Sequence, residues 1–211
     1  MYFLGGILSA VVCLLVSSID LKFLKEKEVI KISINNIKKY YNLLNFILIF
    51  LTNIYLMSLF FYNDILYMIN LLCFLCLYIC AFTDIICKNI FVNIIMAFLV
   101  PITILNIYGN YIRLATLGLI SGIILYGTIY IVSKLVYGKE VFGIGDIYAL
   151  SLVGISTDWY TVFYIGLFTF IIAGLFYLIK LIIIKDIEAF KHQEIPLIPF
   201  ILFSYLFLIY F

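Results

Sequence analysis

Eight long apolar segments follow one another along this chain and leave only short polar stretches between them. A membrane-spanning helix needs about 20 predominantly apolar residues. The candidate spans lie at about 1–19, 43–62, 65–83, 90–108, 114–137, 141–156, 160–184 and 195–211. The sequence therefore predicts an all-α, polytopic integral membrane protein with about eight transmembrane helices, forming a single membrane-embedded domain over residues 1–211.

The composition excludes several other classes of protein. Hydrophobic residues make up 67% of the chain and charged residues only 11%, whereas an ordinary soluble domain is about 25% charged. This excludes a soluble globular enzyme, a disordered protein and a nucleic-acid-binding module. An outer-membrane barrel is excluded as well, because its strands alternate apolar and polar residues. We expect the lipid bilayer, and no nucleic acid, as a partner.

The basic residues indicate the orientation of the spans, because Lys and Arg mark cytoplasmic loops. With eight spans, all but one of the 13 Lys and Arg residues fall in loops on the same side, and only Arg113 falls on the other. We therefore expect a multi-pass protein of the cytoplasmic membrane with both termini outside. The first span has no basic residue before it, which favours a retained helix over a cleaved signal.

The longest predicted cytoplasmic loop covers residues 20–42 and intersperses apolar residues with lysines. It is either an amphipathic helix at the inner membrane surface or a solvated linker. The sequence leaves these two alternatives open.

Small residues occur at helical spacing in two spans. Gly118 and Gly122 form a small-xxx-small pair, which lets helices approach closely in lipid. Cys73, Cys76 and Cys80 share one face of the third span. A structural zinc site usually takes four ligands, often as two separated pairs, and no second pair is present. We interpret the cysteines as small fillers of a helix interface, and we expect no metal or cofactor.

Two acidic residues lie beside apolar spans rather than in the loops. Asp84 ends the third span, and Asp146 precedes an apolar run in the stretch Gly-Ile-Gly-Asp at 143–146. Ionisable groups in such places are costly and point to a function. The predicted topology places both aspartates at the cytoplasmic face, so that two separate spans bring one carboxyl each to the same depth.

Two carboxyl groups at matched depth are sufficient for aspartyl proteolysis. Held close together they cannot both ionise easily, so they share a proton. One then acts as general base on water, and the other protonates the leaving amine. Gly143 and Gly145 lack a Cβ and would let the backbone bend there or a substrate strand approach. The alternatives are an aspartate that caps a helix or pairs with a lysine, and a transporter in which the two aspartates bind a cation or relay protons. Lys88, four residues after Asp84, is a candidate site-shaping residue. It either forms a helical ion pair that favours the base role of Asp84 or is a positive-inside lysine at the membrane face.

These segments resemble type IV prepilin peptidases. The stretch 138–150, in which Gly-Lys-Glu precedes Gly-Ile-Gly-Asp, is similar to the family's signature segment. Asp84 followed by Lys88, Asn89, Ile90 and Asn93 resembles its first aspartate motif, with Phe91 at the position of the motif's proline. The tail 195–200, in which Pro196 and Pro199 are separated by two residues, resembles its final-helix motif. The resemblance covers about residues 75–211.

The resemblance implies a membrane aspartyl endopeptidase with Asp84 and Asp146 as catalytic pair. It implies that the enzyme cleaves the basic leader peptide of prepilin-like (pseudopilin) substrates on the cytoplasmic side. Glu140 either contacts the basic leader or pairs with Lys139 or Lys134. The resemblance also implies that bifunctional members of the family have a zinc-binding region with two Cys-x-x-Cys pairs after the first span, which is associated with N-methylation. The loop after the first span here has no Cys-x-x-Cys pairs. We therefore expect a short form without this zinc and methyltransferase region. A presenilin or signal-peptide-peptidase type of intramembrane protease, which shares Gly-x-Gly-Asp, is the alternative enzyme.

Overall fold

The computed structural model describes residues 2–26, 34–88, 90–138, 142–184 and 196–209, and within these ranges all regular structure is helical. The helices are numbered in chain order: α1 Tyr2–Glu26, α2 Ile34–Leu59, α3 Asp64–Cys87, α4 Val92–Tyr108, α5 Ile112–Tyr137, α6 Ile144–Ser156, α7 Trp159–Ile184 and α8 Ile198–Leu208. Each helix coincides with one of the eight predicted apolar segments. The all-α fold class is confirmed.

Three of the described helices are long and apolar enough to cross a membrane, over Asp64–Ile85, Ile112–Val136 and Trp159–Ile182. The other helices contain apolar stretches of 10–17 residues, which in α1 and α2 are parts of longer helices. These lengths fit a membrane protein, while the count of eight crossings and the outside location of both termini stay predictions.

The helices α1 and α2 enter the predicted cytoplasmic loop from both ends. The first continues to Glu26 and the second begins at Ile34. The intervening residues 27–33 lie outside the described part of the chain. The choice between an amphipathic helix and a linker for 20–42 therefore stays open.

The chain forms two compact units, Met1–Leu71 and Leu72–Phe211. A buried polar network joins α1, α2 and the first turns of α3 within the first unit. The Tyr67 hydroxyl donates to Asn53 Oδ1 at 2.6 Å, and Asn53 Nδ2 donates to Ser9 Oγ at 2.8 Å. Hydrogen bonds between helices are a principal means of association in an apolar surrounding, where polar side chains have no water to bind.

Backbone contact between α5 and α6 organises the second unit. A Cβ on Gly118 would overlap the Gly154 carbonyl oxygen, and a Cβ on Gly122 would lie 2.9 Å from the Leu150 carbonyl oxygen. The predicted close approach at Gly118 and Gly122 is thus confirmed, with Gly154 of α6 as the partner that the spacing did not identify. This contact fixes the short helix α6, whose residues 149–156 are all buried, against the longer α5.

The cysteines of α3 are packing residues. Cys73, Cys76 and Cys80 are fully buried, and the Cys73 thiol faces the Leu152 carbonyl oxygen of α6 at 3.9 Å. Among the described residues, no three His, Cys, Asp or Glu side chains come together as metal ligands.

The glycine contact makes a stability prediction with a matched control in the same helix. Gly118→Ala places a methyl group against the α6 backbone, which cannot move aside, so we expect a loss of about 1–3 kcal/mol in the free energy of unfolding. Gly127→Ala meets nothing within 4 Å, so the better helix propensity of alanine should raise that free energy by up to about 1 kcal/mol. Denaturant titration of the purified protein in detergent measures both. Equal effects of the two substitutions would contradict the packing assignment.

Candidate active site

Asp84 lies in the last turn of α3, three residues before the helix ends at Cys87, and its side chain is buried. Its carboxylate is bound by a distant segment of the chain: Oδ2 accepts a hydrogen bond from the Ile198 N–H of α8 at 3.2 Å. The Leu197 N–H interacts with the same carboxylate. The start of α8 is therefore the immediate partner of Asp84.

The first turn of α8 can donate hydrogen bonds to Asp84, because the first N–H groups of a helix have no intrahelical partners. Pro199 fits this first turn and contributes no N–H. The N–H groups of Phe200 and Ile201 both donate to the Leu197 carbonyl oxygen, at 3.0 and 3.1 Å. The N–H groups of Leu197 and Ile198 remain, and these are the two that meet Asp84. The positive end of the α8 dipole faces the carboxylate as well.

Asp146 is the third residue of α6 and interacts with the residue that precedes this helix. Gly143 stands just before that helix in an extended conformation, and the Asp146 N–H donates to its carbonyl oxygen at 3.2 Å. In return the Gly143 N–H interacts with the Asp146 carboxylate. This reciprocal arrangement resembles a capping box. A Cβ on Gly143 would lie 3.0 Å from Asp146 Oδ2, so the glycine gives the carboxylate room.

One oxygen of Asp146 has no hydrogen-bond partner in the described structure. The side chain is only 8% exposed, yet Oδ1 is buried and unpaired. A buried acceptor without a donor is costly, and native structures contain few of them. In the described structure this oxygen is therefore an acceptor that no protein donor satisfies.

A contact between Ile90 and Gly145 brings the two aspartate segments together. Ile90 lies in the connection that leads from α3 to α4, six residues after Asp84. A Cβ on Gly145 would lie 2.7 Å from Ile90 Cβ and 3.0 Å from its Cγ1. The missing side chain thus lets this connection lie directly on the first turn of α6. The two carboxyl groups are close enough for Asp84 to act electrostatically on Asp146.

Two tyrosines that the sequence analysis did not single out lie beside the aspartates. Tyr126 of α5 is fully buried within electrostatic reach of Asp146, and its hydroxyl donates to the Gly166 carbonyl oxygen at 3.4 Å. Its ring packs edge-on against Phe142, with centroids 5.2 Å apart. Tyr177 of α7 lies within reach of Asp84. The chain has 18 tyrosines, so nothing in the sequence distinguished these two.

The remaining predicted site residues have different outcomes. Lys88 follows α3 in a left-handed conformation, with φ 51°, and its N–H donates to the Asp84 carbonyl oxygen at 3.0 Å. It therefore ends the helix that carries Asp84, and its side chain is exposed. Glu140 and its possible partner Lys139 lie outside the described residues. Gly143 and Gly145 lie beside Asp146 at the start of α6, Asp84 lies within electrostatic reach of Asp146, and their parts in catalysis stay predictions.

Comparison with known proteins supplies one match. No curated protein and no solved structure matches the chain significantly. The sequence profile described as the Type IV leader peptidase family matches residues 71–179, which are 109 of the 211 residues and include both aspartates. The predicted final-helix motif at 195–200 lies beyond the matched range. Since the match covers more than half of the chain, this protein belongs to the type IV leader peptidase family, as its motifs indicated.

Proposed function

We propose that the protein is a membrane aspartyl endopeptidase that removes the basic leader peptide from prepilin-like substrates at the cytoplasmic membrane face. The observation that carries the proposal is that two buried carboxyl groups, from α3 and α6, lie within electrostatic reach of each other. Membership of a peptidase family supports proteolysis as the reaction.

The proposed reaction needs only water and the two carboxyl groups. The pair shares one proton, because two adjacent carboxylates repel each other. The ionised carboxylate takes a proton from water while the water oxygen bonds to the scissile carbonyl carbon. The protonated carboxyl donates a hydrogen bond to the developing oxyanion. Collapse of the tetrahedral intermediate breaks the C–N bond, and the leaving nitrogen takes up a proton from the pair. We leave the acid and base roles of Asp84 and Asp146 unassigned.

The charge distribution of the sequence supports the cytoplasmic location of this chemistry. Basic residues dominate the loops on the side where both aspartates would lie. A prepilin-like substrate has a hydrophobic helix directly after its basic leader. That helix would lie in the bilayer against the enzyme and leave the scissile bond at the interface, where Asp84 and Asp146 end and begin their helices.

The first prediction concerns the carboxyl pair itself. Asp84→Asn and Asp146→Asn each remove a group that must exchange a proton, so we expect each to lower leader cleavage at least about 100-fold. Asp64→Asn is the matched control, because Asp64 is an exposed aspartate at the opposite end of α3. Cleavage of a co-expressed prepilin-like substrate is measured at equal membrane levels of all variants. Wild-type cleavage by either Asn variant would overturn the proposed mechanism and favour a structural or ion-binding role.

A further prediction concerns the approach of the two aspartate segments. Gly145→Ala forces the Ile90 side chain and its loop away from α6, and a displacement of about 1 Å at a reacting centre can cost up to about 100-fold in rate. We therefore expect kcat to fall at least about 10-fold. Gly174→Ala in α7 is the control, because nothing lies within 4 Å of its added methyl group. Cleavage kinetics of the purified variants check this, and equal kcat values for the two would refute the role assigned to Gly145.

A further inference from the structure

The two aspartates are held in unequal ways. Asp146 is bound within its own helix start, by a residue three positions earlier in the chain. Asp84 is bound by Ile198, which is 114 positions away. The geometry of Asp146 is thus a local property of the α6 start, whereas the geometry of Asp84 depends on where α8 docks.

The docking of α8 is fixed by one buried face and by contact with α3. Ile198, Ile201 and Tyr205 are fully buried at helical spacing along α8. Tyr205 interacts with Cys73, which lies earlier in α3 than Asp84. The start of α8 contacts the last turn of α3 through Ile198 and Asp84. The later Tyr205 of α8 contacts the earlier Cys73 of α3, so the two helices run antiparallel. This places the α8 start at the level of Asp84.

We propose that the first turn of α8 positions Asp84 for catalysis, with the Ile198 N–H as the group that fixes its carboxyl orientation. An aspartate in the last turn of a helix keeps two rotatable side-chain bonds, and the hydrogen bond to Oδ2 restricts both. Ile198 acts only through its hydrogen bond to Asp84, so it is a positioning residue. The inference rests on the proposed function of Asp84 and assigns to α8 a part in it.

The sharpest test removes the N–H and leaves the side chain in place. An amide-to-ester replacement at Ile198, made by incorporating the corresponding α-hydroxy acid, deletes the donor to Asp84. The same replacement at Ile201 is a closely matched control: it removes one N–H from the same residue type, in the same turn, buried to the same degree. The Ile201 donor serves only the Leu197 carbonyl oxygen.

We expect the ester at position 198 to lower kcat about 10- to 100-fold, as befits loss of a hydrogen bond to a charged group. KM should stay within about twofold, because the substrate itself loses no contact. The ester at position 201 should keep kcat within about threefold of the wild type. Leader cleavage by full-length enzyme in detergent, with monodisperse elution shown for both esters, provides these values.

Equal kcat values for the two esters would overturn the positioning role, and so would a rise in KM at an unchanged kcat. Asp84→Asn is assayed alongside to separate the two proposals. If Asp84→Asn cleaves normally, the proposed function fails. If Asp84→Asn is inactive while the ester at position 198 is fully active, only the positioning role is refuted.

Discussion

Burying two carboxyl groups in an apolar protein is the physical problem around which this structure is arranged. An isolated buried carboxylate is strongly unfavourable unless hydrogen bonds and opposite charge compensate for the lost water. Helix starts supply part of this compensation. Asp146 turns back onto the start of α6, and Asp84 lies at the start of α8. A helix start offers both unpaired N–H groups and positive partial charge, so the two helix starts offset part of the cost of burying these carboxyl groups.

Small residues determine how closely the elements that carry the carboxyl groups approach. Gly118, Gly122 and Gly154 let the backbones of α5 and α6 touch, and Gly145 lets the loop after Asp84 lie on α6. In lipid there is little hydrophobic force between helices, so close van der Waals packing has greater weight than in water. The glycines therefore decide where Asp146 stands relative to Asp84, although none of them takes part in the chemistry.

Much of the fold could be predicted from the sequence, because a long apolar run in a membrane must satisfy its backbone hydrogen bonds internally and therefore forms a helix. The predicted span 90–108 corresponds to α4 at Val92–Tyr108, for example. The convergence of Asp84 and Asp146 followed from counting spans and placing both at one face.

The partners Ile198 and Ile90 could not be predicted, since their contacts depend on helix docking over long sequence distances. Tyr126 was missed because its neighbours in the sequence are apolar, like those of most other tyrosines in this chain. Lys88, predicted to lie in the loop between the third and fourth spans, follows α3 in the left-handed conformation that usually selects glycine.

The unpaired Oδ1 of Asp146 has a consequence for the design of inhibitors. A ligand that presents a hydroxyl group to this oxygen would gain a hydrogen bond without displacing one that the protein already makes. Most polar groups on a protein surface exchange one partner for another on binding, and the net gain is small. A hydroxyl group directed at this oxygen would engage one of the two carboxyl groups on which the proposed reaction depends.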